Sequence, residues 1–411
     1  MSGLGIYFLQ TLLGERHCLG GMNMERFEFS TAGRIIFGPG TLKEAGEIAR
    51  SFGRAAFVVT SKGVERARPL LEVLNKAGVS YTLFCVRGEP TLDDVTAAVQ
   101  QVKEWGADMI IGFGGGSPID TAKAVAAMVS NPGDILDYLE VIGHGKPLTK
   151  QPIPCIAIPT TAGTGAEVTK NSVLLSEIHK IKVSLRHTML LPRVAIVDPE
   201  LTYDLPPNVT ARTGCDALTQ LIEAYVSSRA NPMTDALCEE GLRRVGLSLK
   251  RAVKNGRDFQ ARYDMALASM LSGIALANAG LGVVHGLAGP VGGFTRLPHG
   301  TICAALLPLA MEVNISLLRT RGDNEGTLRK YRKIAELLTG KPDADWELGV
   351  EWIKQLVEDC GLGRLDAALL PEEAIHRLAS QALQSSSTKS NPVPLGEAEL
   401  VGILSRAVAS K

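Results

Sequence analysis

The chain has 411 residues with 43 Lys+Arg against 43 Asp+Glu, so it carries no net field to recruit nucleic acid or an anionic membrane, and no basic stripe is clustered along it. With 45% hydrophobic residues, a chain of this length holds apolar surface for two cores, and two domains are expected. Cys18, Cys85, Cys155, Cys215, Cys238, Cys303 and Cys360 are odd in number and scattered without a Cys-x-x-Cys pair, which argues against a disulfide framework or a thiolate zinc site and fits a reducing cytoplasm.

Residues 1–24 contain an apolar patch from Ile6 to Leu13, with no basic segment before it and no small-residue cleavage site after it. They read as a disordered leader, with patterned sequence starting at Glu25. From Phe27 to about Asp198, short β-rich runs alternate with helical ones, the pattern of a parallel α/β domain. Strands are predicted at Ala55 to Thr60, Tyr81 to Val86, Met109 to Phe113, Cys155 to Ile158 and Val194 to Val197, with helices at Leu92 to Trp105 and Pro118 to Ser130. The third of these strands runs into Gly114-Gly115-Gly116-Ser117-Pro118-Ile119-Asp120. Here Ser117 is expected to cap the following helix, with Pro118 at its first position and Asp120 at its third. Glycines let the backbone approach a ligand, and free N–H groups at a helix start suit a phosphate.

A second loop, Pro159-Thr160-Thr161-Ala162-Gly163-Thr164-Gly165-Ala166-Glu167, also follows an apolar strand and offers three hydroxyls. Gly112-x-Gly114-x-x-Ser117 alone is a weak dinucleotide fingerprint, but two such loops in one sheet favour a nucleotide. After Leu205-Pro206-Pro207 the chain turns to long helical runs, which places the boundary between a domain over 25–205 and an all-helical one over 206–411. Met265 to Thr295 carries no Asp, Glu, Lys or Arg and is long enough to span a bilayer, yet it is dominated by small residues and interrupted by Asn278, His285 and Pro290. It reads as buried, closely packed helices. Ser385 to Ser387, with Pro392 and Pro394, reads as a loop before a final helix.

In the helical half, Asp216-x-x-x-Gln220 places two polar side chains on one helix face, and His285 and His299 stand further on. One Asp with two His is a divalent-metal set to which Gln could add a weak oxygen ligand; on spacing alone, however, a solvated helix face and a satisfied turn histidine are the stronger reading. His17, His144, His179, His187 and His376 have no neighbours that suggest chemistry.

Together these segments resemble the iron-containing, or group III, alcohol dehydrogenase family, which includes lactaldehyde reductase and 1,3-propanediol dehydrogenase. The resemblance runs from about Phe27 to the C-terminus. It rests on Gly114 to Lys123, on Pro159 to Thr169, on Ala195 to Thr202, and on Gly282-Val283-Val284-His285-Gly286 with Pro298-His299-Gly300. It implies a dehydroquinate synthase-like architecture: an α/β dinucleotide-binding domain with a parallel sheet, then an all-α metal-binding domain. It also implies hydride transfer between NAD(P)H and a small alcohol or carbonyl, and a homodimer. Carried over by position, the family's cofactor site falls on Ser61, Gly114, Gly115, Gly116, Ser117, Asp120, Thr160, Thr161, Thr164 and Lys182, its substrate neighbour on Asn171, and its Fe²⁺ or Zn²⁺ site on Asp216, Gln220, His285 and His299.

Three positions depart from that pattern. Gln220 stands where the family usually has His, Gly289 replaces a second His four residues after His285, and Ser61, followed by Lys62, replaces an Asp that binds the ribose 2′-OH in NAD-preferring members. NADP is therefore expected at least as readily as NAD. A metal-independent carbonyl reductase, a dehydroquinate synthase-like lyase and a non-catalytic nucleotide-binding protein are the competing readings.

Overall fold

The computed structural model describes residues 26–61, 64–322 and 324–408; the expected leader and Lys62 lie outside them. The first half alternates β1 (Ile35–Phe37), α1 (Ala45–Phe52), β2 (Ala55–Ser61), α2 (Val64–Lys76), β3 (Ser80–Val86), α3 (Leu92–Trp105), β4 (Met109–Gly114), α4 (Gly116–Ser130), β5 (Cys155–Pro159), a hairpin of β6 (Asn171–Ser176) and β7 (Ile181–Arg186), and β8 (Val194–Val197). The main sheet is parallel throughout in the order β1-β8-β5-β4-β2-β3. Its strands read as unbroken apolar runs because both faces are covered. Val58, Ile111 and Ile158 pack with Leu70 of α2 on one face, while Phe57, Val59 and Ile110 pack with Val95 of α3 and Val125 of α4 on the other.

From β2 the chain steps outward to β3 and then returns past β2 to β4, so the strand order reverses between β2 and β4. The crevice beyond the C-terminal ends of strands at such a reversal is where α/β sheets bind ligands. Ser61 ends β2 and the glycine loop follows β4, so both border that crevice.

Two elements go beyond the sequence reading. β1 adds a three-residue edge strand beside β8, and β6 with β7 forms an antiparallel hairpin in place of a loop. The expected Ser117 cap is corrected: α4 starts at Gly116, Gly115 stands at the cap position, and no side chain caps the helix. The first N–H groups of α4 are thus left to a ligand.

The second half consists of α5 (Pro207–Val226), α6 (Pro232–Lys254), α7 (Phe259–Ala279), α8 (Val283–Thr295), α9 (His299–Arg321), α10 (Glu325–Thr339), α11 (Trp346–Asp359), α12 (Glu372–Leu383) and α13 (Glu397–Ala407). The uncharged stretch is α7 and α8, bent by 101° at their junction and buried in the helical core. α9 is also long and apolar enough to cross a bilayer, but Ile302, Leu306, Met311 and Ile315 face the same core. The two halves meet where Gly165 of the second loop touches Gly273 of α7: a Cβ on Gly165 would lie 2.6 Å from the Gly273 Cα. Gly165 also takes a left-handed φ of +60° that glycine alone adopts readily.

Glu167 follows that contact and is 2% exposed. Burial pushes its carboxyl up to about 7, against the opposing pull of a local backbone hydrogen bond and the Lys123 charge. Below pH 4.5 the group is protonated in both folded and unfolded chains. As pH rises the unfolded chain ionises first, so stability falls by about 3 kcal/mol on approaching pH 7. Glu167→Gln is therefore expected to resist urea better than the native chain above pH 7 and to lose that advantage near pH 4.5. A pH-independent difference contradicts this assignment.

Candidate active site and metal centre

One side of the candidate site is built by two loops held face to face. Thr160 N–H donates to Gly114 O at 2.8 Å, joining the end of β5 to the end of β4. A Cβ on Gly115 would lie 3.3 Å from Thr161 Oγ1, and one on Gly116 would lie 3.2 Å from Thr164 Oγ1, so the glycines admit the threonines at close range. Gly112 similarly lets α4 settle on β4, since a Cβ there would come within 2.9 Å of the Ala122 side chain.

Asp120 sits deeper than a ligand-facing residue of the first turn. Its Oδ2 accepts Val173 N–H at 3.0 Å, and its Oδ1 makes an ion-pair contact with Lys123 Nζ at 2.9 Å, off the axis of a hydrogen bond. Lys123 is 1% exposed and also donates to Ala166 O and Thr169 Oγ1, each at 2.9 Å, and to Asn171 O. One buried ammonium thus ties α4 to the second loop and to β6. Asn171 Oδ1 is buried without a hydrogen-bond partner among the described residues. Lys182 pairs with Glu89 at 2.7 Å and passes beside Gly292 of α8, where a Cβ would lie 3.3 Å from its Nζ.

The second cluster lies where three helices converge. α5 supplies Asp216, Gln220 and Glu223 from one face, α8 supplies His285 from its first turn, and α9 supplies His299 at its start with Cys303 one turn later. Asp216 Oδ1 is 3.4 Å from His285 Nε2 and 3.7 Å from His299 Nε2. Cys303 Sγ is 3.5 Å from His299 Nε2 and 4.0 Å from His285 Nε2. All four donor atoms lie within 4.8 Å of one another. Gly300 permits this convergence, because a Cβ there would collide with Arg212 O and press on Asp216 Cβ.

Glu223 orients the set. Its Oε1 accepts Val284 N–H at 2.6 Å, and its Oε2 accepts His285 N–H at 3.4 Å and lies 2.6 Å from His285 Nδ1. A carboxylate partner places the proton on Nδ1, which turns the Nε2 lone pair toward Asp216. Gly282 leaves room for it, since a Cβ there would lie 2.7 Å from Glu223 Oε1.

Asp216 Oδ1 has no hydrogen-bond partner among the described residues although its side chain is 4% exposed. A buried carboxylate oxygen facing two imidazole nitrogens and a thiol is the arrangement that a divalent cation satisfies. The electrostatics agree. Burial alone raises the Asp216 and Cys303 pKa values and lowers those of the histidines, but mutual attraction reverses all four: His299 and His285 bring Asp216 and Cys303 below their ordinary values, while Cys303 and Asp216 bring both histidines above theirs.

Of the expected metal positions, the structure gathers Asp216, His285 and His299. Gln220 is 3% exposed and its Oε1 accepts from Ser272 Oγ at 2.8 Å, a contact that turns its oxygen to α7. Gly289, one turn beyond His285, faces open space, with no atom within 4 Å of a Cβ built there. Glu223 and Cys303 were not singled out from the sequence as site residues. The signal for Glu223 was its spacing from Asp216 and Gln220 on one helix face, and that for Cys303 was its position four residues after His299.

The family model described as iron-containing alcohol dehydrogenase matches residues 32–199, and the one for the C-terminal part of that family matches residues 210–408. The probable alcohol dehydrogenase EutG of Escherichia coli K12 is 36% identical over 393 residues, covering 94% of this chain and 96% of that protein. A crystal structure of 1,3-propanediol oxidoreductase superposes with a TM-score of 0.86 at 33% identity, covering 93% of this chain and 100% of its own. Sulfoacetaldehyde reductase from Bifidobacterium kashiwanohense, solved in complex with NAD⁺, superposes with a TM-score of 0.84 at 27% identity, covering 94% and 100%. Matched in both halves and aligned with these relatives nearly end to end, the chain belongs to the iron-containing alcohol dehydrogenase family and is an oxidoreductase acting on alcohols.

Proposed function

We propose that the chain is an NAD(P)-dependent, metal-assisted alcohol dehydrogenase or aldehyde reductase that passes hydride between the nicotinamide and the carbonyl carbon of a small substrate. The observation that carries this reading is the buried Asp216 Oδ1, without a hydrogen-bond partner among the described residues, beside the Nε2 atoms of His285 and His299. Asp216, His285 and His299 would hold a divalent ion, Fe²⁺ or Zn²⁺, which when bound would supply Lewis-acid polarisation of the carbonyl and stabilisation of the negative charge on its oxygen.

The chain's own residues do the rest. The N–H groups at the start of α4, from Gly115 to Ser117, bind the pyrophosphate, with Gly114 shaping the turn and Thr160, Thr161 and Thr164 facing the nucleotide. Asp120 and Lys123 act from behind that surface by locking α4 to the second loop. Glu223 holds His285 in the tautomer that presents Nε2. His299, a third exposed where Asp216 and His285 are nearly sealed, borders the side from which substrate arrives. Asn171, with its buried free Oδ1, is assigned to the substrate, and Lys182 to the outer wall beside α8. A cytoplasmic homodimer completes the proposal. The free thiols of all six described cysteines support the compartment, and the family resemblance supports the dimer.

Chelator-stripped protein is expected to lose NAD(P)H oxidation with a panel of short aldehydes and to regain it with Fe²⁺ or Zn²⁺. Turnover that survives stripping favours the metal-independent carbonyl reductase, and coenzyme binding without turnover favours a nucleotide-binding protein. Ser61, half-buried at the end of β2, provides no carboxylate to repel a 2′-phosphate. Ser61→Asp is expected to lower the ratio of kcat/KM with NADPH to that with NADH by about tenfold, the effect of roughly 1.4 kcal/mol of repulsion. An unchanged ratio removes Ser61 from the coenzyme site.

A further inference from the structure

Resting on the metal-assisted reading above, we infer that Cys303 is the fourth protein ligand of the ion, in place of Gln220, making an Asp-His-His-Cys site. Zinc bonds of about 2.0–2.1 Å to nitrogen and oxygen and 2.3 Å to sulfur set tetrahedral edges of roughly 3.3–3.6 Å. Of the six edges among Asp216 Oδ1, His285 Nε2, His299 Nε2 and Cys303 Sγ, four are 3.4, 3.7, 3.5 and 4.0 Å, and the remaining two lie within 4.8 Å. Small side-chain adjustments bring that set onto one centre. Helical spacing makes the arrangement durable, because His299 and Cys303 lie one turn apart on the same face of α9.

Three further observations point to the thiol. Cys303 is fully buried, and its only hydrogen-bonding contacts among the described residues are with the two histidines. The Gln220 oxygen is already engaged by Ser272. Charge also favours the exchange: one carboxylate and one thiolate neutralise a divalent cation in a buried site, whereas a carboxylate with neutral partners leaves a positive charge uncompensated. The thiol surrenders its proton to solvent as the sulfur–metal bond forms, and no electron changes hands. Thiolate donors suit zinc better than oxygen-rich sites do, so the exchange shifts this member of the family toward Zn²⁺ and away from Fe²⁺. The same negative charge softens the ion's pull on the substrate oxygen.

Cobalt substitution tests the ligand directly, because a Co²⁺–thiolate bond produces an intense near-ultraviolet charge-transfer absorption that nitrogen and oxygen donors do not. The full-length stripped protein loaded with Co²⁺ is expected to show this band. Cys303→Ser, nearly isosteric, is expected to lose it while still binding cobalt, and Gln220→Ala is expected to keep it. Circular dichroism and the melting temperature of each variant establish that it is folded. Cobalt bound to the native protein without the band, or a band that survives Cys303→Ser, overturns the assignment yet leaves a three-ligand metal site standing. Failure to bind cobalt at all overturns both this inference and the metal-assisted reading, whereas cobalt bound without the band overturns the inference alone.

Discussion

The site depends on one costly feature, a carboxylate oxygen of Asp216 enclosed by protein without a hydrogen-bond donor among the described residues. Burying such a charge without compensation is unfavourable enough that a fold retains it only where a cation answers it. Around it α5, α8 and α9 approach more closely than a side chain would allow, with Gly282 making space for Glu223 and Gly300 letting α9 close on α5. Glu223 performs two tasks with one side chain, accepting from the N–H groups of Val284 and His285 in the first turn of α8 and fixing the proton on His285 Nδ1. Glu223 thus holds the site's polar groups in place within a largely apolar helical core.

The nucleotide side obeys a related logic with the opposite sign. The sheet reverses its strand order between β2 and β4, and the glycine loop at that reversal leaves backbone N–H groups uncapped for an anion. Lys123 is the internal counterpart of Asp216: a fully buried charge, here satisfied by Asp120, Ala166, Thr169 and Asn171. It makes the two loops one rigid surface. The Gly165–Gly273 contact then sets that surface against α7, whose Ser272 reaches Gln220. A backbone contact and one side-chain hydrogen bond thus link the glycine and threonine loops to α5.

Much of this was legible in the sequence because it is local. The buried strands announce themselves as apolar runs, and the glycine and threonine loops follow them directly. Local rules also misled. Ser117-Pro118-x-Asp120 has the composition of a capped helix start, but the helix begins earlier and Asp120 turns inward to Lys123, a partner the capping rule does not consider. β1 escaped notice because three residues carry too little periodicity, and the hairpin because its alternation of half-buried and buried residues ends in a charged turn. Cys303 belongs to no spaced cysteine pair, the usual thiolate signature in a sequence; here a single thiol joins one histidine of its own helix and another brought in by α8. Long-range convergence, unlike periodicity, leaves no mark on neighbouring residues.

The departures at Gln220 and Gly289 take on a physical meaning once the helices are assembled: the carboxamide binds α7, and the missing imidazole leaves open space beside His285. Neither removes the buried charge that demands a cation. The most direct test is therefore the metal content of the folded, full-length protein compared with Asp216→Asn, measured by elemental mass spectrometry after dialysis against Zn²⁺. The account predicts a single tightly held divalent ion in the native chain and its loss in the variant. Equal metal in both proteins, or none in the native one, contradicts it.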